Sequence, residues 1–330
     1  MRVMLLVMKE RKAPLDRLYE SIAEHVDRCD IFRLDDHEQE NLAEFFRQHN
    51  PSAYDRVVIF SRIKRLSHQA KALRWIRGLV FLEYDAWQNY MAESKNHGSF
   101  SRLYLATLGC RVISSGLGIS ARLRAEGIDA RFVPKGFDDQ AFLDQQRPRT
   151  TFSAFIGSIK HQSYAARRRT LEAIRAGFPL QVMQTESGQP YIEALNEIRV
   201  FVSADSGMGE YMLKNFEAMA CGCVLLAEDQ GEAENQELGF IDMENVALYH
   251  SPDEAIEKLK QLQAQPDLCD RLASAGRALA WERFRFSCLG EHIAQELRAP
   301  MTEWRSPSSL ARMIARLRYP WLIKAGAVGA

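Results

Sequence analysis

Eleven short apolar runs, each followed by a polar or amphipathic stretch, constrain the fold of this 330-residue chain more than any other feature. The first six are VMLLVM at 3–8, CDIFRL at 29–34, RVVIFSRI at 56–63, GLVFLEYDAW at 78–87, CRVISS at 110–115 and ARFVP at 130–134. Between them, apolar residues recur at helical spacing, as they do from Leu15 to Val26. Strands that alternate with helices form βαβ units and build parallel sheets, so we predict an α/β fold.

A polar segment, DQQRPRT at 144–150, divides these runs into two sets. The second set comprises FSAFIGS at 152–158, PLQVMQT at 179–185, RVFVSA at 199–204, CVLLA at 223–227 and NVALYH at 245–250. We therefore predict two Rossmann-like domains, 1–145 and 151–284, and the helices of 285–330 are candidates for completing the first. Ligands bind at the carboxyl ends of strands in open α/β sheets, so we expect the site in a cleft between the two domains.

The charge balance and the apolar content exclude several classes of protein. Lys plus Arg and Asp plus Glu both number 43, and a net charge of zero argues against a nucleic-acid-binding protein. No stretch approaches the ~18–20 apolar residues of a membrane span. The run from Val3 to Met8 is too short for the core of a signal peptide. The six scattered cysteines then indicate reduced thiols, and we expect a cytoplasmic protein.

Basic residues follow the first strand of the second set, in GSIKHQSYAARRR at 157–169. Gly157 closes the strand, and Lys160 precedes Arg167, Arg168 and Arg169 near the start of a helix. Free amides at a helix N-terminus and nearby cations suit a phosphate or diphosphate. Adjacent arginines cannot share one helix face, so one or two of them could reach the same ligand. A solvated basic face is the alternative.

A glycine-rich segment follows the third strand of the second set, in SADSGMGEYMLKNFEAMACG at 203–222. Gly207 and Gly209 would let the backbone come close to a ligand, and we expect a helix to begin near Glu210, with its amides forming a second anion site. Glu217 follows on the same helix. Its carboxylate could accept two hydrogen bonds from a vicinal diol such as a ribose, and the alternative is a solvent-exposed acid.

Two other motifs could indicate a bound metal or cofactor. Cys221 and Cys223 form a C-x-C pair, but no second pair lies at metal-ligand spacing, so we interpret them as buried small residues. The segment SSGLGISARL at 114–123 approaches a dinucleotide fingerprint, but it follows the fifth strand rather than the first, which favours a tight turn. We expect neither a metal nor a resident cofactor.

Together these segments resemble a GT-B glycosyltransferase of the family-4-like group (glycosyl transferases group 1) and its spore-maturation-type relatives. In that group a strand, a Gly-Ser pair and basic residues precede a helix with E-A-M-A-x-G and an apolar strand. The chain has GSIKHQSYAARR, then FEAMACGCVLLAED, then closing helices that end in WERFRFSCLGEHI. VPKGFDDQAF at 133–142 resembles the v-P-n-G-v-D segment of the family, and the resemblance covers roughly residues 110–295.

The resemblance implies a nucleotide-sugar donor, bound mainly by the second domain without a metal. Glu217 would hold the donor ribose, Gly207 to Glu210 would lie beside the diphosphate or sugar, and Lys160 with an arginine would neutralise the leaving diphosphate. The family pattern has an upstream glutamate where this chain has Gly209, followed by Glu210. The donor-binding candidates are Gly157, Lys160, Arg167, Arg168, Gly207, Gly209, Lys214 and Glu217.

The catalytic candidates are Asp85 and Glu210. Glu83 and Asp85 share one strand parity in GLVFLEYDAW, so both could point towards the cleft, and structural acids at a strand end are the alternative. An inverting enzyme needs a base, for which Asp85 is the candidate. A retaining enzyme of this type needs none, and the sequence leaves the stereochemical outcome open.

The C-terminal segment mixes cations with apolar residues. Between Met301 and Ala330 there are five basic residues and one acid, Glu303. Residues 305–324 could contact an anionic membrane surface. Alternatively, the segment crosses back to brace the first domain, as GT-B chains commonly do.

We therefore expect a metal-independent glycosyltransferase that moves a sugar from a nucleotide-sugar donor to a glycan or lipid-linked acceptor. Such acceptors belong to cell-surface polysaccharide or lipopolysaccharide biosynthesis, which suits a cytoplasmic enzyme at the inner face of the cytoplasmic membrane. Two alternatives remain open: a nucleotide-sugar epimerase on the same fold, and a non-catalytic glycan-binding module with a decayed donor site.

Overall fold

The computed structural model describes residues 1–9, 15–159, 164–205, 209–305 and 307–325. Two compact units are present, Met1–Val133 with Gly290–Ala330 and Pro134–Leu289, and each contains one parallel sheet with helices. All eleven strands expected from the sequence form, so the prediction of two parallel-sheet α/β domains is confirmed. The polar segment 144–150 lies within the second unit.

The sheet of the first unit has six strands in the order β2-β1-β3-β4-β5-β6, all parallel. They are β1 (Arg2–Met8), β2 (Arg28–Leu34), β3 (Arg56–Phe60), β4 (Leu79–Glu83), β5 (Arg111–Ser114) and β6 (Asp129–Phe132). Leu5 on β1 pairs with Ile31 on β2 and with Val58 on β3. β1 is a continuous apolar run because helices cover both faces of a parallel sheet, so that its side chains are buried on either side.

Ten α-helices among the described residues belong wholly or partly to the first unit. They are α1 (Asp16–Glu24), α2 (Asp36–Glu40), α3 (Leu42–Gln48), α4 (Ile63–Leu66), α5 (Ala70–Leu73), α6 (Ser99–Ala106), α7 (Leu117–Ala125), α14 (Phe286–Arg298), α15 (Ser309–Arg318) and α16 (Pro320–Ala325). Short 3-10 turns lie at Pro51–Ala53, Ser67–Gln69 and Ala86–Asn89. The chain passes from the second unit back to the first within α14.

A buried arginine joins the returning C-terminal segment to the first sheet. Arg111 is fully buried on β5, and its Nε donates to Oδ2 of Asp129 on β6 at 3.0 Å. Its terminal nitrogens donate to the backbone carbonyls of Glu296, Ala299 and Pro300. Glu296 lies in the last turn of α14, and Ala299 and Pro300 follow the helix, so the cation also binds carbonyls at the C-terminal end of α14.

Two tryptophans attach the rest of this segment to the first unit. Trp304 donates from Nε1 to the carbonyl of Arg74, and Trp321 donates to the carbonyl of Ala43, each at 3.0 Å. Arg47 also lies 5.8 Å from the ring centre of Trp321. Among the described helices, none is long and apolar enough to span a bilayer.

The sheet of the second unit has five strands in the order β11-β10-β9-β7-β8, all parallel. They are β7 (Thr151–Ile156), β8 (Gln181–Met183), β9 (Ile198–Ser203), β10 (Val224–Glu228) and β11 (Ala247–Tyr249). The helices of this unit are α8 (Ala165–Gly177), α9 (Gln189–Glu197), α10 (Leu213–Ala220), α11 (Glu232–Leu238), α12 (Pro252–Ala264) and α13 (Pro266–Arg283).

The strand order places a candidate ligand site at one edge of the second sheet. β7 lies between β8, which follows it in sequence, and β9, so the direction of strand succession reverses between β7 and β9. In open α/β sheets, ligands bind at such a switch point, beyond the carboxyl ends of the strands. Ile156 ends β7 and Ser203 ends β9, and the candidate donor-binding residues follow these two positions in the chain.

Candidate functional site

Helix α10 is buried along almost its whole length, from Asn215 to Ala220. It packs against β9, β10 and α13, and Trp281 of α13 donates from Nε1 to the carbonyl of Ala220 at 3.3 Å. The small side chains of Ala218 and Ala220 allow this close packing, and both residues are fully buried. Glu217 is therefore only 4% exposed, and the alternative of a solvent-exposed acid is excluded.

The carboxylate of Glu217 has one oxygen engaged by the protein. The hydroxyl of Tyr191, on α9, donates to Oε2 at 2.7 Å. Within the described part of the chain, no other hydrogen bond reaches this carboxylate. Burial raises the pKa of Glu217 to about 7, while the Tyr191 hydrogen bond and the charge of Lys214 act in the opposite direction. Oε1 is thus the oxygen that a ligand hydroxyl could approach.

The side chain of Lys214 extends from the first turn of α10 to the carboxyl end of β7. Its Nζ donates to the carbonyl of Ile156 at 2.8 Å and lies 5.4 Å from the ring centre of Tyr191. Burial lowers the pKa of Lys214, and Glu217 partly offsets this effect. A β-carbon at Gly157 would lie 3.2 Å from Nζ and 2.8 Å from the ring of Phe155. A glycine at this position therefore leaves room for the lysine.

Arg167 is the buried member of the three consecutive arginines on α8. Its Nε donates to the carbonyl of Ala204, just beyond β9, at 3.0 Å, and the guanidinium lies 4.8 Å from the ring centre of Tyr164. Burial lowers the pKa of Arg167. Arg168 is half-buried and donates to the carbonyl of Ile159, whereas Arg169 is exposed. The three side chains diverge, as the sequence predicted.

Gly157, Arg167, Lys214 and Glu217 therefore gather around the carboxyl ends of β7 and β9. The charge of Glu217 raises the pKa of Lys214 and the charge of Arg167 lowers it, so the three side chains lie close to one another. The assembly has a buried arginine, a half-buried lysine and a buried acid at the switch point of the sheet. Two other candidates, Lys160 and Gly207, lie outside the described residues.

Glu210 lies in the loop before α10, because the helix begins at Leu213 and not near Glu210 as expected. Gly209 has a φ of +65°, and Met212 is still extended at φ −78°, ψ 154°. The amide of Gly209 donates to Oδ2 of Asp205 at 3.3 Å. This turn delays the helix by three residues, so Glu210 and Glu217 do not share one helix.

Glu210 is buried, and its partner was not predicted. Nζ of Lys135 lies 2.8 Å from Oε1 of Glu210, and both side chains are almost inaccessible to solvent. The only signal in the sequence was the lysine of VPKGFDD, in the segment where the related family pattern has v-P-n-G. Tyr191 was missed as well, since a tyrosine on a separate helix gives no sequence sign of its contact with Glu217.

Asp85, the candidate base, is exposed in the first unit and lies beyond the end of β4. Its backbone at φ −121°, ψ 8° leaves the strand, so the shared parity expected for Glu83 and Asp85 does not hold. Glu83 is buried and accepts from the amide of Asp85 at 2.8 Å and from the hydroxyl of Tyr104 at 3.2 Å. Burial raises the pKa of Glu83 to about 8.

Cys221 and Cys223 are buried where α10 turns into β10. Sγ of Cys223 donates to the carbonyl of Leu195 at 3.1 Å, and burial raises its pKa to about 12. Gly222 between them has a φ of +83°, a left-handed conformation that glycine adopts without the strain of a β-carbon. In the described ranges, no group of three or more His, Cys, Asp or Glu side chains is arranged to hold a metal ion.

Known proteins resemble this chain in the sequence of one segment and in overall fold. The family described as glycosyl transferase-like matches residues 167–299. No curated protein sequence matches the chain. Similar solved structures include Anabaena Alr3699/HepE in complex with UDP-glucose, with a TM-score of 0.67 at 14% identity, covering 90% of this chain and 99% of that chain.

Two further solved structures are similar at comparable coverage. Sucrose-phosphate synthase from Thermosynechococcus elongatus has a TM-score of 0.65 at 14% identity, covering 90% of this chain and 98% of that chain. T4 phage BGT in complex with its UDP-glucose substrate has a TM-score of 0.59 at 13% identity, covering 91% and 100%. The predicted fold of two parallel-sheet α/β domains, the GT-B fold of these solved structures, is confirmed, and the predicted resemblance to glycosyltransferases is confirmed for residues 167–299, which match the glycosyl transferase-like family.

Proposed function

We propose that this protein transfers a sugar from a uridine diphosphate sugar to a glycan or lipid-linked acceptor. The observation that carries the proposal is the Glu217 carboxylate, buried at the switch point with one oxygen held by Tyr191. A free carboxylate oxygen at this position can accept hydrogen bonds from the two hydroxyls of a ribose. Similar structures that contain UDP or UDP-glucose support uridine as the base.

The chemistry requires stabilisation of the departing diphosphate, on which negative charge develops. Arg167 and Lys214 place two cations beside the ends of β7 and β9, and burial strengthens their interaction with an anion. Amides at the start of α10 add partial positive charge. These groups can act without a metal, so we propose a metal-independent transfer.

Asp85 is our proposed base if the reaction inverts the anomeric centre. It is exposed after β4 of the first unit and is free to approach an acceptor hydroxyl, whereas both oxygens of Glu83 are engaged. Asp85→Asn should then lower kcat by about 10²-fold or more with the affinity for UDP unchanged. Full turnover by this variant would exclude the base role and favour a retaining reaction.

The donor is tested by titration calorimetry with UDP, GDP, ADP and dTDP, followed by turnover of the matching nucleotide sugars. We expect UDP to bind most tightly. Glu217→Ala should weaken UDP binding by roughly tenfold to a hundredfold, because the ribose loses its acceptor. Glu172→Ala on the exposed face of α8 is the control and should bind as wild type. Failure of every nucleotide to bind wild type would contradict the proposed function.

The nature of the acceptor is suggested by an exposed apolar face on α15. Leu310, Met313, Ile314 and Leu317 recur at the spacing of one helix face, and they are 53–86% exposed. Ala315, on the other side, is buried against the first unit. Contiguous exposed apolar side chains of this kind mark a surface that contacts another molecule or a membrane.

The positive charge of the same helix favours contact with an anionic membrane over a neutral one. Ser309–Arg318 contains Arg312, Arg316 and Arg318 and no acidic residue. Apolar side chains flanked by arginines suit the interface of an anionic bilayer. We propose that, within residues 305–324, the exposed face of α15 contacts the inner face of the cytoplasmic membrane, while Ala315 and Trp321 pack on the first unit. A lipid-linked precursor of a cell-surface polysaccharide or lipopolysaccharide would be accessible there to a cytoplasmic enzyme.

Sedimentation with vesicles tests this surface. Wild type should bind vesicles that contain phosphatidylglycerol and should bind pure phosphatidylcholine much less. Ile314→Glu with Leu317→Glu should abolish the binding, while Leu105→Glu, at another exposed apolar residue of the first unit, should leave it unchanged. Equal loss in the Leu105→Glu protein, or no binding of wild type to anionic vesicles, would contradict the proposal.

A further inference from the structure

Lys135 and Glu210 form a buried ion pair that the proposed transfer reaction leaves without a role. Nζ of Lys135 lies 2.8 Å from Oε1 of Glu210, and the two residues are 7% and 2% exposed. Lysine and glutamate are almost never buried to this extent unless they are paired, because removing a charge from water is costly. The pair joins two segments that are distant in sequence.

The segment that carries Lys135 is held firmly in the second unit. The amide of Phe137 donates to the carbonyl of Phe284 at 3.0 Å, and the amide of Phe286 donates back to the carbonyl of Phe137 at 2.9 Å. Gly136 packs so closely that a β-carbon there would lie 1.9 Å from the carbonyl oxygen of Phe284. Lys135 therefore projects from a backbone with little freedom to move.

The segment that carries Glu210 leads directly into the donor site. It is the loop of residues 209–212, the last part of the connection from β9 to α10. Tyr211 in this loop is buried, with its ring 4.9 Å from that of Phe240 and its hydroxyl bonded to Asn235. Glu210 and Tyr211 thus fix the loop on two sides, just before the turn of α10 that bears Lys214.

We propose that Lys135 and Glu210 are positioning residues for the donor site. Their pairing holds the loop of residues 209–212, and the loop in turn keeps the first turn of α10 at the end of β7. In this assignment the Glu210 carboxylate engages Lys135 and not the sugar. The inference rests on the proposed function, because it explains how Lys214 and Glu217 are held ready for a nucleotide.

The test compares Lys135→Met, Glu210→Gln and the double variant in the full-length protein. Each single variant should raise KM for the donor and Kd for UDP about tenfold while kcat falls less than about threefold, since loop order and not chemistry is affected. The double variant should be no worse than either single one, because both remove one interaction. Lys135→Arg retains a cation and should keep most of the affinity that Lys135→Met loses.

The controls are Arg147→Met and Glu193→Gln, in an exposed ion pair of the same unit, and they should have no effect on KM or on the Kd for UDP.

Hydrogen exchange provides a readout that does not depend on activity. Amides of residues 209–212 should exchange faster in Lys135→Met and in the double variant than in wild type. If Glu210→Gln lowers kcat with UDP affinity intact and Lys135→Met does not reproduce this, Glu210 acts on the sugar and the positioning role is refuted. If wild type binds no nucleotide, the proposed function fails, whereas unchanged exchange in these amides refutes the positioning role itself.

Discussion

Replacing Glu217 with glutamine should make the protein more stable at alkaline pH and weaken its binding of UDP. Burial raises the pKa of Glu217 from its ordinary value of 4.5 to about 7. The folded protein therefore holds this proton more tightly than the unfolded chain. Stability falls as the pH rises from 4.5 through about 7, because folding then requires a buried carboxylate.

The size of this loss of stability follows from the shift in the pKa of Glu217. At ~1.4 kcal/mol for each pH unit, a charged Glu217 destabilises the folded state by about 3 kcal/mol above pH 8. Glutamine removes the charge and retains an oxygen that can accept from Tyr191. Near pH 5 the advantage of the variant should be under about 1 kcal/mol, since most of the folded wild type is then protonated.

Urea unfolding of wild type and Glu217→Gln at pH 5 and pH 8.5 measures this difference. The gap in unfolding free energy should widen by about 2.5 kcal/mol between the two pH values. Glu172→Gln, at an exposed position, should show no such widening. UDP titrations of the same samples should show weaker binding by Glu217→Gln. Parallel pH profiles for wild type and Glu217→Gln would refute the reasoning that burial controls this carboxyl.

Three further predictions concern single side chains. Arg167→Met should weaken UDP binding at least about tenfold by calorimetry, while Arg169→Met, its exposed neighbour, should change it less than about twofold. Tyr191→Phe removes a hydrogen bond that lowers the pKa of Glu217, so UDP affinity should rise with pH through a midpoint above that of wild type; an unshifted midpoint would argue against the contact. Gly136→Ala should cost about 2 kcal/mol or more in urea unfolding, because its β-carbon would meet the Phe284 carbonyl. The matched Gly118→Ala, where nothing lies within 4 Å, should stabilise α7 slightly, and equal losses at both sites would contradict this.

The strands could be predicted from the sequence because each depends on a local apolar run. Residues 3–7 and 223–227 are buried on both faces of their sheets, and a short continuous apolar run of this kind is typical of a central strand in a parallel sheet. Boundaries were less predictable where a turn interrupts a favourable pattern. β4 ends at Glu83 although the alternation of residue types continues to Asp85, and α10 begins three residues after Glu210.

The site was predictable only in part, because its chemistry depends on pairs that are distant in sequence. The position of Glu217 came from its resemblance to a family segment, but its burial results from packing by α13 and β10. Its contact with Tyr191 and the pairing of Lys135 with Glu210 join separate elements. The lysine of VPKGFDD is visible in the sequence, but nothing in a single sequence pairs it with Glu210.

The contacts of Arg111 also impose an order on folding during synthesis. The second unit is continuous in sequence and is complete once residue 289 has left the ribosome. The first unit is not, since the guanidinium buried on β5 must wait for the carbonyls of Glu296, Ala299 and Pro300. The first unit, which contains the beginning of the chain, therefore gains these contacts only after the whole of the second unit has been synthesised.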